Sequence, residues 1–274
     1  MKTVDKALDV LDCFTLDRPE LSVTELADLL SMHKSIASRL AATLRARRYL
    51  EVNPATRRYR VGRRLFELGQ IFVRRSALND LALPDLRALV SAVGHASHLA
   101  VLDGTHILIS CCVESTRHIQ VAVEPGARRT CYSTASGKVL LSYGSPEILE
   151  SCLQAYVTNG KLPKVGPKTI TSVREFRKEL SQIREAGVAY NREESLPGVW
   201  SVAAPVLTPG GEIVASVTTL FPRAIVSDEE LARISAAVKD AARKISRRIA
   251  DEGELSVNDG IGTPRPKSSR APIG

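Results

Sequence analysis

Between residues 33 and 64 the chain carries ten basic side chains and a single acid, Glu51. The whole protein has a net charge of +8 over 274 residues, so this one window holds the entire surplus. A stretch that must neutralise phosphates has this composition. A solvated helix face would also be charged, but it would not exclude acids that are common elsewhere in the sequence. What the window folds into is therefore the first constraint on the chain.

The local pattern answers it. Val4, Leu8 and Leu11 share one helix face, and Pro19 closes that segment. Ser22-Val23-Thr24-Glu25 is a capping box that opens a short helix with Leu26, Leu29 and Leu30 on its apolar side. Ser31-Met32-His33 breaks it. A third helix follows, apolar at Ile36, Leu40 and Leu44 and polar at Lys34, Ser35, Ser38, Arg39, Thr43 and Arg45. Two short helices about a three-residue break, the second basic outside, form a helix-turn-helix. The runs 49–52 and 57–61 flank Asn53-Pro54-Ala55-Thr56 as strand, turn and strand. A basic hairpin directly after the recognition helix is a wing. The expected DNA contacts are Thr24, His33, Lys34, Ser35, Ser38, Arg39 and Thr43, with Arg57, Arg58 and Arg60 on the wing. Arg39 is the expected reader of a guanine edge, because its fork matches O6 and N7.

From Arg63 a helical pattern through Leu65, Leu68 and Phe72 reaches about Leu78 and serves as a linker able to pair with a second copy. Pro84 marks the start of the next domain. A helix through Leu86, Leu89, Val90 and Val93 ends near Gly94. The chain then turns β-rich. Residues 98–102 and 107–113 flank Asp103-Gly104 as a hairpin, 119–123 alternate as another strand, and 199–207 and 212–220 form the clearest hairpin. Helices are expected at 136–142 and 146–157, after a capping box at Ser172–Glu175, and after a third box at Ser227–Glu230. Strands and helices do not alternate, so the class is α+β with a largely antiparallel sheet. The divisions are 1–62 for DNA binding, 63–80 for the linker, 81–252 for the second domain and 253–274 for a disordered tail.

Several function classes fall away. No apolar run approaches a membrane span, and the first residues are charged, unlike a signal peptide. Five cysteines, without a C-x-x-C spacing, fit reduced thiols in the cytoplasm. Ser136-Gly137-Lys138 resembles the end of a phosphate-binding loop, but Tyr132 and Val139 stand where glycine and a hydroxyl residue are required. No nucleophile motif or zinc-binding motif occurs. His95 and His98 are three apart without a further ligand nearby, so no metal, cofactor or catalytic residue is assigned. The competing class is a metabolite-binding enzyme or sensor module whose first domain serves assembly only.

The order of parts resembles the IclR family of bacterial transcriptional regulators over roughly residues 2–250. The likeness rests on Lys34-Ser35-Ile36-Ala37-Ser38-Arg39-Leu40 with Ala42-Thr43-Leu44, and on Thr134-Ala135-Ser136-Gly137-Lys138-Val139-Leu140-Leu141. A third stretch runs from Ala186-Gly187-Val188-Ala189-Tyr190 through Glu193-Glu194 and Gly198 to Val202-Ala203-Ala204-Pro205-Val206. The resemblance implies a winged helix-turn-helix joined to a GAF-like effector-binding domain. It implies a dimer or dimer of dimers on a palindromic double-stranded DNA operator, with a small carboxylate effector. It also implies an effector pocket at Ala135, Ser136, Asn191, Ser201, Thr218 and Leu220. Arg129 either reaches the same pocket or lies on the surface beside Arg128. Arg48 departs from the family by standing where a glycine closes the recognition helix. Trp200, the sole tryptophan, either stacks on a ligand or packs in a core or dimer contact.

Overall fold

The computed structural model describes residues 2–15, 18–75, 77–252 and 261–262. The chain divides into two compact units at residues 75 and 76.

In the first unit, α1 (Lys2–Asp12), α2 (Val23–Leu29) and α3 (Lys34–Ala46) enclose a small core. Val10, Leu21, Leu26, Ala37, Leu40, Ala41, Leu44 and Leu50 are buried in it. The α3 set falls at helical spacing, so one face of α3 is apolar and the other is left to solvent. Ser22 caps α2 with the full reciprocal box: its hydroxyl accepts from the Glu25 amide, and the Glu25 carboxylate accepts from the Ser22 amide. β2 (Leu50–Val52) and β3 (Tyr59–Val61) form the expected hairpin. A third strand, β1 (Glu20–Leu21), pairs antiparallel with β3 and was not anticipated. Two residues give too short a run for any alternation to show. α4 (Arg63–Arg75) completes the unit.

Arg48 does not change how α3 ends. Its backbone is left-handed, with φ of 65°, and the amide of Tyr49 reaches back to the Leu44 carbonyl at 2.9 Å. This is the turn a glycine would make, made here by a residue that a Cβ disfavours. Gly62 packs against it: a Cβ there would sit 2.3 Å from the Arg48 carbonyl oxygen.

In the second unit a sheet of order β6-β5-β4-β9-β8-β7 has helices on both faces. Its strands are β4 (Ser97–Asp103), β5 (His106–Val113), β6 (Arg128–Thr130), β7 (Ala189–Arg192), β8 (Val199–Leu207) and β9 (Ile213–Pro222). Neighbours along that order are antiparallel. Alternation sorts the side chains. Leu99, Val101, Val202, Ala204 and Val217 meet α5 (Ala77–Val93) and α9 (Asp228–Glu252). Ala100, Leu102, Ala203 and Ala189 meet α6 (Ala135–Tyr143), α7 (Pro146–Tyr156) and α8 (Val173–Ala186).

Two expectations are corrected. The linker pattern read from Arg63 to about Leu78 is helical over Arg63–Arg75 and again from Ala77, on either side of the one residue outside the described set. Pro84 lies inside α5 rather than before it. It is exposed, so the carbonyl it deprives of a partner can turn to water. Residues 119–123 are not a strand. The chain leaves the sheet after β5 and rejoins it only where Gly126 donates to the Ile109 carbonyl (2.8 Å) and Ile109 donates to the Ala127 carbonyl (3.0 Å). Pro125, between the two, has no amide with which to extend the ladder. The tail called disordered lies outside the described residues, apart from Ile261–Gly262, whose backbone runs parallel to Leu102 and Asp103.

Replacing Arg48 by glycine removes the left-handed strain. Chemical denaturation of the Arg48→Gly protein is expected to show the first unit stabilised by about 0.5–1 kcal/mol.

Candidate functional site

The first unit presents α3 outward. Lys34, Ser35, Ser38, Arg39 and Thr43 are all exposed on the face opposite Ala37, Leu40, Ala41 and Leu44. His33 caps the helix backbone without a side-chain bond and sits 3.5 Å from the Ser35 hydroxyl. The Thr43 hydroxyl turns back to the Arg39 carbonyl at 2.8 Å. Thr24 is exposed on α2. Among the described residues neither Lys34 nor Arg39 forms an ion pair, so both cations are available to an external anion.

The wing divides its arginines. Arg57 stands at the tip, exposed and left-handed at φ of 58°. Arg60 leans on Glu51 at 3.5 Å. Arg58 is committed inside the unit: its guanidinium lies 2.6 Å from both Glu25 oxygens and also donates to the Glu20 carbonyl. The Glu25 carboxyl is lowered to about 2, first by the Ser22 amide and hydroxyl and then by Arg58. Glu20 accepts from Asn53 at 2.6 Å and from Thr56 at 2.8 Å. The wing is thus tied to the helices through Arg58, which sequence reading had placed at the DNA.

The second unit holds a cavity of about 430 Å³ between the sheet and the start of α6. All seven positions expected from sequence line it: Arg129, Ala135, Ser136, Asn191, Ser201, Thr218 and Leu220. Antiparallel pairing explains the gathering, since Ser201 lies opposite Leu220 and His98 opposite Thr218. Thr134 caps α6 by accepting from the Gly137 amide at 3.1 Å. The Ala135 and Ser136 amides ahead of it find no partner among the described residues and remain free donors. Gly137 allows this turn, because a Cβ there would lie 2.1 Å from the Cys131 carbonyl oxygen. Asn191 is a brace: its amide group donates to the Ser133 carbonyl and the Ser195 hydroxyl, both at 2.8 Å, and its oxygen accepts from the Glu194 amide at 2.9 Å. Arg129 is exposed and donates to the Arg128 carbonyl at 2.8 Å, so it contributes from an exposed part of the lining. Ile107, Ile109, Val121, Val123 and Leu196 supply apolar wall.

His98 was missed as a lining residue. It is buried on β4, and its Nε2 lies 3.2 Å from the Ser136 hydroxyl, which is 2.7 Å from that of Thr218. Burial, aided by the Arg129 charge, lowers its pKa to about 4, so it is neutral at pH 7. His95, considered with it as a metal pair, instead packs against Phe221 at 5.5 Å between ring centroids. Among the described residues no group of three metal-ligating side chains forms. Trp200 is also outside the cavity. It packs on the α5 and α9 side of the sheet, with the Arg223 guanidinium 4.8 Å from its ring.

Comparison with known proteins accounts for this pairing of sites. Residues 3–54 match the model of the IclR helix-turn-helix domain, and residues 70–247 match that of the bacterial transcriptional regulator IclR C-terminal domain. The chain belongs to the IclR family of transcriptional regulators. It is 33% identical to the HTH-type transcriptional regulator BhcR of Paracoccus denitrificans, covering 93% of this chain and 90% of that protein. The IclR crystal structure from Thermotoga maritima is 29% identical over 91% of this chain and 99% of that one, with a TM-score of 0.67. A 22% identical IclR homolog from Microbacterium hydrocarbonoxydans, solved with 4-hydroxybenzoate, shares the fold with a TM-score of 0.75 over 90% of this chain and 98% of its own. The matched family models and BhcR are transcriptional regulators and not enzymes, which sets the enzyme alternative aside. Among the described residues no helix is long and apolar enough to cross a membrane.

On α6 the fully buried Lys138 ammonium meets Glu194 at 2.6 Å and Glu179 at 2.9 Å. Lys138→Met would leave the buried Glu194 charge unpaired. It is expected to lower the stability of the second unit by about 3–5 kcal/mol in chemical denaturation, with Glu194→Gln restoring part of the loss.

Proposed function

We propose that this IclR-family regulator binds a palindromic operator in the cytoplasm as a dimer or dimer of dimers, and that a small organic acid in the cavity alters that binding. The observation that carries the reading is the coexistence, in one chain, of an unpaired cationic recognition face and a cavity with free helix-start amides. α3 enters the major groove with Arg39 on a guanine, Lys34 and Ser38 beside it, and Arg57 and Arg60 on the backbone. One winged helix reads a half-site, so a second copy is needed. Val4 and Leu8 on α1 and Phe66 on α4 leave large apolar surface exposed, at 63%, 52% and 68%, which supports self-association. The two α6 amides with their helix dipole favour a carboxylate, and a cavity of this size has room for an aromatic or branched acid. The IclR homolog solved with 4-hydroxybenzoate supports that size and charge.

An operator selected from a random duplex pool tests the DNA half. Wild-type affinity is expected to fall steeply between 50 and 200 mM salt, and Arg39→Ala to relax one base position per half-site by about 1–3 kcal/mol. Equal sequence preference in the variant would remove Arg39 from base reading. For the second half, Ser136→Trp fills the cavity. It should abolish the effect of organic acids on operator binding while operator affinity in their absence stays at the wild-type level, both read by fluorescence anisotropy.

A further inference from the structure

Three side chains on three elements form a hydrogen-bonded chain beside the free α6 amides: His98 on β4, Ser136 on α6 and Thr218 on β9. All three are almost fully buried, with at most 3% of their surface exposed. The protons in this chain have a direction. Nδ1 of His98 is buried without a partner among the described residues. Buried lone pairs without partners are commoner and less costly than buried N–H groups without acceptors, so the imidazole proton belongs on Nε2. His98 then donates to the Ser136 oxygen, and the Ser136 hydroxyl donates to Thr218. The Thr218 hydroxyl proton is left without an acceptor among the described residues. Ser201, buried to 95% on the adjacent strand, also lines the cavity with no partner for its hydroxyl among the described residues. Asn191 offers nothing further, since its amide hydrogens and oxygen are already engaged. This end of the cavity therefore presents the amides of Ala135 and Ser136 and the hydroxyls of Thr218 and Ser201 as donors.

We propose that His98 is the positioning residue that makes the cavity selective for an anionic carboxylate over its uncharged isostere, acting through Ser136 and Thr218. The inference rests on the cavity being the organic-acid site. It adds a residue and a mechanism of discrimination to that reading. The imidazole need not touch the ligand. Held neutral by burial, it fixes which way two hydroxyls point, and a chain of donors ending at one place suits an acceptor with no hydrogen of its own.

The test uses the full chain with benzoate and benzamide, two probes of equal shape, titrated calorimetrically. Wild type is expected to prefer benzoate by about 10-fold or more, the factor one charge-assisted hydrogen bond supplies. His98→Leu is expected to bring that ratio close to one. His98→Gln, whose side-chain amide can donate to Ser136, is expected to restore it. Nitrogen NMR of the wild-type imidazoles should show His98 protonated on Nε2 at pH 7, assigned by its loss in His98→Gln. A proton on Nδ1, or an unchanged ratio in a folded His98→Leu, overturns the relay alone. Wild-type protein that binds neither probe overturns the carboxylate reading of the cavity, and the relay with it.

Discussion

The second unit depends on an ammonium with no exposed surface. Taking Lys138 and Glu194 out of water is costly, and apolar residues in their place would serve stability as well or better. What the pair provides is position. Burial raises the pKa of the Glu194 carboxyl and the Lys138 charge draws it back down. The Glu194 backbone amide meanwhile donates to Asn191, and its carbonyl receives the Gly166 amide and the Thr169 hydroxyl. Asn191 in turn holds the Ser133 carbonyl just ahead of α6. One buried cation thereby fixes the helix whose first amides face the cavity and the loop that walls it.

The first unit solves a different electrostatic problem. A surface built for phosphate repels itself when no phosphate is bound. The few acids near it are placed behind the reading face. Glu25 takes Arg58, and Glu51 takes Arg60 and Arg63. The acids stabilise the wing's junction with the helices and leave Lys34, Arg39 and Arg57 without an ion pair among the described residues. A basic residue in this window can be held within the fold, as Arg58 is, or left to the outside, as Arg39 is, and its sequence position alone does not say which.

Where the structure adds to or departs from the sequence reading, the causes are particular. Arg58 looked like Arg57 because its partner lies 33 residues away. The 119–123 run alternates like a strand, but strand formation needs an open edge in register, and Pro125 interrupts the approach. Pro84 looked like a boundary because a proline normally ends a helix, yet on an exposed face water can replace the missing partner. His98 was judged only for metal spacing. Its role follows from facing Thr218 across a strand pair and Ser136 on the helix that covers that face of the sheet, separations of 120 and 38 residues.

What the sequence determined by itself was everything carried by local order. That covers the one-sided charge, the capping box at Ser22, the recognition helix with its apolar stripe, the two long hairpins and the family motif that places Ala135 and Ser136 at a helix start. These features depend on neighbours within one or two turns or across a tight hairpin, where chain connectivity supplies the partner. Tertiary structure alone decided which arginines are spent inside the fold, which side of the sheet Trp200 takes, and which way the hydroxyls beside His98 point. Each of those depends on a partner brought from far along the chain, and a buried polar group takes its role from the one partner the packing leaves it.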